Sequence, residues 1–405
     1  MKYFVVLGDG MADEPLEELG GKTPLEYADT PAMDALGGKS EIGLTCTIPE
    51  GMKPGSDTAN LSVLGYDPRK YYTGRSPLEA LSIGVNLKPT DIAIRANLVT
   101  LSEEEVSYEQ RTILDHSSGE ISTEEAAILM EAVKNQLQKE PFSFYSGTSY
   151  RHLLIWNYGE VSNSEIPELT PPHDILGKQI SSYLPTQNLL KNMMERSFEV
   201  LNNHPVNLAR AKKGLAKANS LWFWGAGTKP DLINFEEKTG KRGVMISAVD
   251  LLKGIAVGTG MTNKTVEGAN GTLHTNYRGK AMAAVEALLK EGYDFAYIHI
   301  EAPDEMGHQG SISKKIRAIE SIDHEIVQVI VEQMQQAKEE YRMLILPDHP
   351  TPIRLRTHTA DPVPYLLYDN TRELKKIQYY NEKEANLNEI YKKEGWHLID
   401  ELLES

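Results

Sequence analysis

Three apolar runs, far apart in the chain, end in the same way. "KYFVVLGDG" reads as a buried strand closed by a glycine turn at Asp9. "DFAYIHIEAPDE" repeats the pattern, with a strand over Phe295–Ile300 and then a loop carrying Asp304. "YRMLILPDHP" is the third case and ends at Asp348 and His349. In open α/β sheets, ligand sites form beyond the C-terminal ends of the strands. The chain therefore reads as α/β, with acidic residues delivered to one sheet edge. Between the last two strands lies "SISKKIRAIESIDHEIVQVIVEQMQQAKEE". Its Ile316, Ile319, Ile322, Ile326, Ile330 and Met334 recur at steps of three and four, the apolar face of one long amphipathic helix. Strand, helix, strand predicts a right-handed parallel crossover.

The middle of the chain carries none of these strand-end acids. "DIAIRANLVTL" and "YRHLLIWNY" read as strands, and "STEEAAILMEAVKNQL" as a helix with a capping box from Ser122 to Glu125. "IPELTPPHDILGK" and "NNHPVN" read as Pro- and Asn-rich loops. We read residues 76–240 as a smaller α/β domain inserted into a first domain made of residues 1–75 and 241–405. The length of 405 residues allows two or three domains at roughly 100–200 residues each.

The strand-end residues have the chemistry of metal ligands. Asp304 and His308 at i, i+4 lie on one side of a helical turn and can reach one ion. His358, in "RTHTADP", can close that site from a later loop. Asp348 and His349 are consecutive, so they can serve two sites or straddle one. Asp9 adds a further carboxylate. Each feature alone has a plain reading: a surface ion pair, a capped turn, a turn residue. Three of them, each at a strand end, point instead to a two-metal site. Imidazole in the set favours Mn²⁺ or Zn²⁺ over the oxygen-seeking Mg²⁺. Mn²⁺ is the expected ion.

Charge and cysteine content narrow the partners. A formal net charge of −16 argues against a broad nucleic-acid or anionic-membrane surface, but allows a small anionic substrate in a locally basic pocket. Nothing approaches a run of about 18 apolar residues, so no membrane span is expected. The single cysteine, Cys46, excludes an intramolecular disulfide and fits a reducing cytoplasm. The oligomeric state has no signature in the sequence.

"TIPEGMKPGSDTANLSVLGYDP" supplies a nucleophile. Ser56 opens a helix, "DTANLSVLG", where the helix dipole and free N–H groups favour developing negative charge. That suits a hydroxyl that must carry a phosphoryl group beside a metal. The plain reading is that Ser56 is the N-cap of the helix. Both readings stand at this point.

The set "GDGMAD", "PGSDTANLSVLGYDP", "EAPDEMGH", "PDHPTP" and "RTHTADPVP" closely resembles the archaeal-type cofactor-independent phosphoglycerate mutases, of the alkaline phosphatase superfamily. "HPVN", "VMISAVDLLKGIAVGTGM" and "VEGANGTLHTNYRGK" extend the resemblance along essentially the whole chain. It implies an alkaline-phosphatase-like, mostly parallel sheet sandwiched by helices, with the insert binding substrate. It implies a glycolytic isomerase that interconverts 3-phosphoglycerate and 2-phosphoglycerate through a phosphoserine at Ser56. It places one divalent ion on Asp304, His308 and His358, and the other on Asp9, Ser56, Asp348 and His349. Lys253 in "LLKGIA" is the expected extra positive charge near the phosphate.

The chain also departs from that family. An Arg-rich "DRRAGR"-like segment is replaced by "DHSSGEIS", Asp115 to Ser122, and an "RGAG"-like segment by "WFWGAG", with Trp224 at the arginine position. Arg95, Arg151 and Arg210 remain to hold a substrate carboxylate. The losses bring the chain close to a branch proposed to be homoserine kinases, whose zwitterionic acceptor would suit Asp115 and His116. A metal-dependent phosphatase, with water as acceptor, is the third reading.

Overall fold

The computed structural model describes residues 1–157, 166–372 and 378–404. The chain divides into two compact units, Met1–Tyr72 with Asp231–Ser405, and Thr73–Pro230. The sequence placed residues 231–240 in the insert. They lie instead in the first unit, where Phe235 stacks on Phe295 at 4.8 Å between ring centroids and the Phe235 N–H bonds to the Thr259 carbonyl. That burial fixes the boundary earlier than the composition suggested.

The first unit is built on eight strands: β1 (Lys2–Gly8), β2 (Ser40–Thr45), β8 (Gly243–Ile246), β9 (Thr262–Asn263), β10 (Phe295–Ile300), β11 (Tyr341–Leu346), β12 (Val363–Asp369) and β13 (Tyr391–Lys392). Their order is β13-β2-β12-β11-β1-β10-β8-β9. β12 is antiparallel to both neighbours, and the other pairings are parallel. The three strands singled out from the sequence are therefore the centre of the sheet, with β1 between β10 and β11. Register aligns Val6 with Ile298 on one side and Ile345 on the other, so same-face residues form one apolar layer. That layer packs on the helices Tyr277–Lys290 and Gln328–Ala337, and the opposite face carries Tyr297, whose hydroxyl meets Asn60 of the helix Ser56–Val63. Helices on both faces and central strands buried almost throughout are the α/β arrangement the sequence predicted.

The segment between β10 and β11 is not one regular α-helix. It runs as Ile312–Ile322, a π-helical turn Asp323–Val327, and Gln328–Ala337. The cause is in the apolar pattern. Ile322, Ile326, Ile330 and Met334 are all buried, and each is four residues from the next. In an ideal α-helix each such step turns the apolar face by about 40°. The wider π turn absorbs the drift and keeps all four side chains on the sheet.

The second unit carries five strands: β3 (Asp91–Leu101), β4 (Ile113–Asp115), β5 (Phe142–Tyr145), β6 (Arg151–Asn157) and β7 (Ser220–Thr228). β3 pairs with β4, β6 and β7, β5 pairs with β6, and all are antiparallel. The expected strand "YRHLLIWNY" is β6, and Tyr158 at its end lies outside the described residues. The helix Thr123–Leu137 starts as predicted, with Ser122 accepting the Glu125 N–H at 3.2 Å. The unit has its own core, including Leu129, Met130 and Val133 of that helix against Leu98, Leu154 and Trp222 of the sheet. Among the described residues no helix is long and apolar enough to cross a membrane.

Candidate metal centre

The turn after β1 delivers Asp9. Gly10 follows with φ of 61°, and a Cβ there would stand 2.6 Å from Asp304 Oδ1 and 2.7 Å from Asp304 Cα. Only glycine tolerates both the dihedral and the approach. Its N–H reaches Asp348 Oδ1 at 3.1 Å, tying the ends of β1 and β11 together. Asp304 and His308 sit one turn apart on the helix Ala302–His308 after β10.

Asp304, His308 and His358 converge as expected. His308 Nε2 is 3.2 Å from Asp304 Oδ2, and His358 Nε2 is 3.3 Å from Asp304 Oδ1. The two Nε2 atoms are 3.0 Å apart. His308 Nδ1 lies 3.0 Å from the Arg356 carbonyl, which can only accept, so Nδ1 carries the proton and Nε2 turns its lone pair inward when neutral. Burial opposes ionisation of Asp304, but the hydrogen bonds from His308 and His358 outweigh it and hold its carboxyl well below the usual range. The Asp304 hydrogen bond raises His308 to about 9 against the opposing effect of burial.

The second group gathers on Asp9. His349 Nε2 lies 3.7 Å from Asp9 Oδ1, 3.4 Å from Asp348 Oδ2 and 3.2 Å from Ser56 Oγ. Asp348 and His349 thus lie side by side, with His349 grouped with Asp9 and Asp304 and Asp348 with Asp9 and His299. Thr351 sets the His349 tautomer: its hydroxyl donates to Asp304 Oδ1, leaving its oxygen to accept from His349 Nδ1 at 3.3 Å. Asn60 holds Asp348 Oδ2 at 3.0 Å and the Ser56 carbonyl at 2.8 Å. Ser56 is not a cap, since the N-cap position belongs to Gly55, and its hydroxyl faces His349.

The sequence reading missed His299. It lies inside an apolar strand, where a histidine reads as core, yet its Nε2 is 3.1 Å from Asp9 Oδ2. Burial lowers His299 to about 4, so the ring is neutral. Burial, then the charges of Asp348 and Asp304, push the Asp9 carboxyl well above its usual range. Asp9 Oδ1 and His299 Nε2 are both buried without a hydrogen-bond partner. Three groups of donor atoms lie within 4.8 Å of one another: Asp304, His308 and His358; Asp9, Asp304 and His349; and Asp9, His299 and Asp348. Clustered carboxylates, inward lone pairs and orphaned buried atoms are the setting a divalent cation satisfies.

Of the remaining predicted residues, Lys253 lies in the first unit and Arg95, Asp115, His116, Arg151 and Arg210 lie in the second. Lys253 lies on the helix Asp250–Gly258, which packs beside the Ser56 helix, and its Nζ is 3.2 Å from Asp250. In the second unit Arg95 is buried, pairs with Glu79 and lies 5.2 Å from the Trp224 ring centroid. Arg210 is spent on Glu125 and on the Ser118 and Ala216 carbonyls. Asp115 accepts the N–H groups of Ser117 and Gly119, shaping its own turn. His116 packs edge-on against Tyr150 and His173. Arg151 is exposed beside Tyr150.

Residues 38–207 match the family model described as 2,3-bisphosphoglycerate-independent phosphoglycerate mutase. The 2,3-bisphosphoglycerate-independent phosphoglycerate mutase of Methanosarcina barkeri is 50% identical over 373 residues, 91% of this chain and 90% of that protein. The chain belongs to this family. The phosphoglycerate mutase 1 of Methanocaldococcus jannaschii is 36% identical over 413 residues, covering 100% and 97% of the two chains. Among solved structures, a Pyrococcus horikoshii protein matches with a TM-score of 0.81 at 31% identity, covering 99% of this chain and 96% of that one. The cofactor-independent phosphoglycerate mutase of Thermoplasma acidophilum matches with a TM-score of 0.63 at 26% identity, covering 100% and 99%. Likeness to these mutases spans both units.

Proposed function

We propose that the chain interconverts 3-phosphoglycerate and 2-phosphoglycerate, with Ser56 as the group that carries the phosphoryl. The observation that carries this reading is Ser56 Oγ, 3.2 Å from His349 Nε2 among the metal-type donors and free of any capping bond. Asp304, His308 and His358 would hold one divalent ion, and Asp9, Asp348 and His349 with Ser56 the other. Mn²⁺ fits this mixed donor set best, with Mg²⁺ or Zn²⁺ as the other candidates. Ions held there would supply charge stabilisation for an in-line displacement and would lower the pKa of the serine hydroxyl. Ser56 Oγ forms a bond to phosphorus as the P–O bond to one glycerate oxygen breaks; the serine hydroxyl gives up its proton and the departing oxygen takes one up, and both transfers reverse in the return step. The glycerate then turns, and its other hydroxyl takes the phosphoryl back from Ser56 while losing its own proton. Asn60 and Gly10 hold Asp348 still through this exchange, and Thr351 keeps the His349 lone pair directed at the serine.

Ser56→Ala tests the reading. Turnover should fall to background while Mn²⁺ still binds, and mass spectrometry of wild-type protein mixed with 3-phosphoglycerate should find one phosphate on the peptide holding Ser56. Near-normal turnover in the variant would refute it.

A second reading, a homoserine kinase-like phosphotransferase, draws support from the second unit. Arg95 and Arg210 are already committed to Glu79 and Glu125, which leaves Arg151 alone of the three free to meet a carboxylate. Turnover of homoserine with ATP, and none of 3-phosphoglycerate, would select it.

A further inference from the structure

Lys315 has no part in the chemistry above, and it sits on a helix whose apolar spacing gives no reason to bury a lysine. Its side chain is nevertheless wholly buried. Its Nζ donates to Asp13 Oδ2 at 2.7 Å, to the Thr351 carbonyl at 2.9 Å and to the Ala12 carbonyl at 3.2 Å, which uses all three protons. Asp13 in turn accepts the Ile353 N–H at 3.1 Å and the Glu14 N–H at 2.8 Å. One ammonium thus joins the loop after β1 to the loop after β11.

Those loops follow Asp9 and the pair Asp348 and His349. Lys315 itself stands on the helix Ile312–Ile322, next along the chain after the one bearing Asp304 and His308. The ammonium therefore ties together two ligand-bearing loops, from a helix that directly follows a third ligand-bearing segment. Thr351, held by its carbonyl, gives its hydroxyl to Asp304 and accepts from His349. Stability alone does not account for the arrangement, because a buried ion pair can usually be replaced by apolar residues without loss.

We propose that Lys315 is a positioning residue that sets the spacing between the two halves of the metal centre by holding the Ala12 and Thr351 carbonyls on one ammonium. The proposal rests on the two-ion reading above. Its test uses the full chain with Mn²⁺ alone, by calorimetric titration and by electron paramagnetic resonance, which reads the coupling between neighbouring Mn²⁺ ions. The double variant Lys315→Met with Asp13→Asn removes both charges; Asn can still accept from Ile353 and the Ala12 carbonyl keeps the Thr351 N–H, so the Thr351 carbonyl is the one group that loses its donor. It should still fold, with at most the small loss of melting temperature that one stranded carbonyl brings, yet bind Mn²⁺ about 10–100-fold more weakly, with an altered coupling signal. Wild-type affinity and coupling in the double variant would overturn the proposal. If the double variant does not fold, Lys315→Arg decides: its longer planar head keeps the charge but cannot reproduce both carbonyl bonds. Weaker Mn²⁺ binding at unchanged melting supports the proposal, and unchanged binding and coupling overturn it. A wild-type protein that fails to bind two ions would refute the two-ion reading and this proposal with it, a result distinct from two ions bound equally by variant and wild type.

Discussion

His308 competes with a cation for one lone pair. Its contact with Asp304 raises its pKa from 6.5 to about 9 in the ion-free protein, so near neutral pH a proton occupies Nε2. Binding must expel that proton. Mn²⁺ affinity should therefore fall about tenfold for each pH unit lost between 8 and 6, and His308 should cease to contribute above about 9. Titrations in two buffers of different ionisation heat should count about one proton released per ion at this site near pH 7. Affinity that stays flat from pH 6 to 8 would contradict the geometry. The same pair stabilises the ion-free fold most below the ordinary histidine value of 6.5, and the contribution fades as pH passes through 9. Asp9, Asp304, Asp348 and His349 stood out in the sequence because each combines a ligand type with a strand end, His308 because it lies one helical turn from Asp304, and His358 because its loop carries a ligand type not far beyond His349. His299 and Lys315 did not. An imidazole within "FAYIHI" resembles packing, and a lysine within "SISKKIRA" resembles solvated surface. What distinguishes them is which segments surround them in space, and no local pattern carries that.

At the scale of elements, the π turn has a structural task besides rotating the helix. It presents Asp323, whose two oxygens accept the Ala32 and Met33 N–H groups at 3.1 and 2.7 Å, at the start of the helix Pro31–Gly37. That helix has no side-chain cap of its own, so Asp323 caps it from almost 300 residues away. Asp323→Ala should cost about 1–3 kcal/mol in urea unfolding, since it strands buried donors, while kcat stays unchanged. A loss of activity at unchanged stability would show a different role. The central strands were legible because apolar runs of four or five residues, Tyr3–Leu7, Phe295–Ile298 and Met343–Leu346, each close on a turn signal. The helix after β10 was legible in position but not in kind, as the i, i+4 steps that demand a wider turn also satisfy a loose helical pattern. The boundary at residue 230 was hidden because Phe235 looks alike in either unit until Phe295 is brought beside it.

For the whole molecule, the two cores are separately composed, and among the described residues the clustered metal-type donors belong to the first unit. Adding Mn²⁺ should slow amide hydrogen exchange in β1, β10 and β11 and leave β3, β6 and β7 unchanged. Equal protection across both units would place the ions elsewhere. The sheet's strand order also governs how the protein comes into being. β1 is made first, but its two neighbours are encoded near residues 295 and 341. During synthesis the central strand waits with both edges unpaired while the whole second unit is translated and can fold. An apolar strand bare on two sides is an invitation to pair with another chain. The interval before β11 emerges is therefore the stage at which a nascent chain is most exposed to aggregation, and slowing the ribosome within residues 73–294 should lower the yield of soluble protein more than slowing it after residue 346.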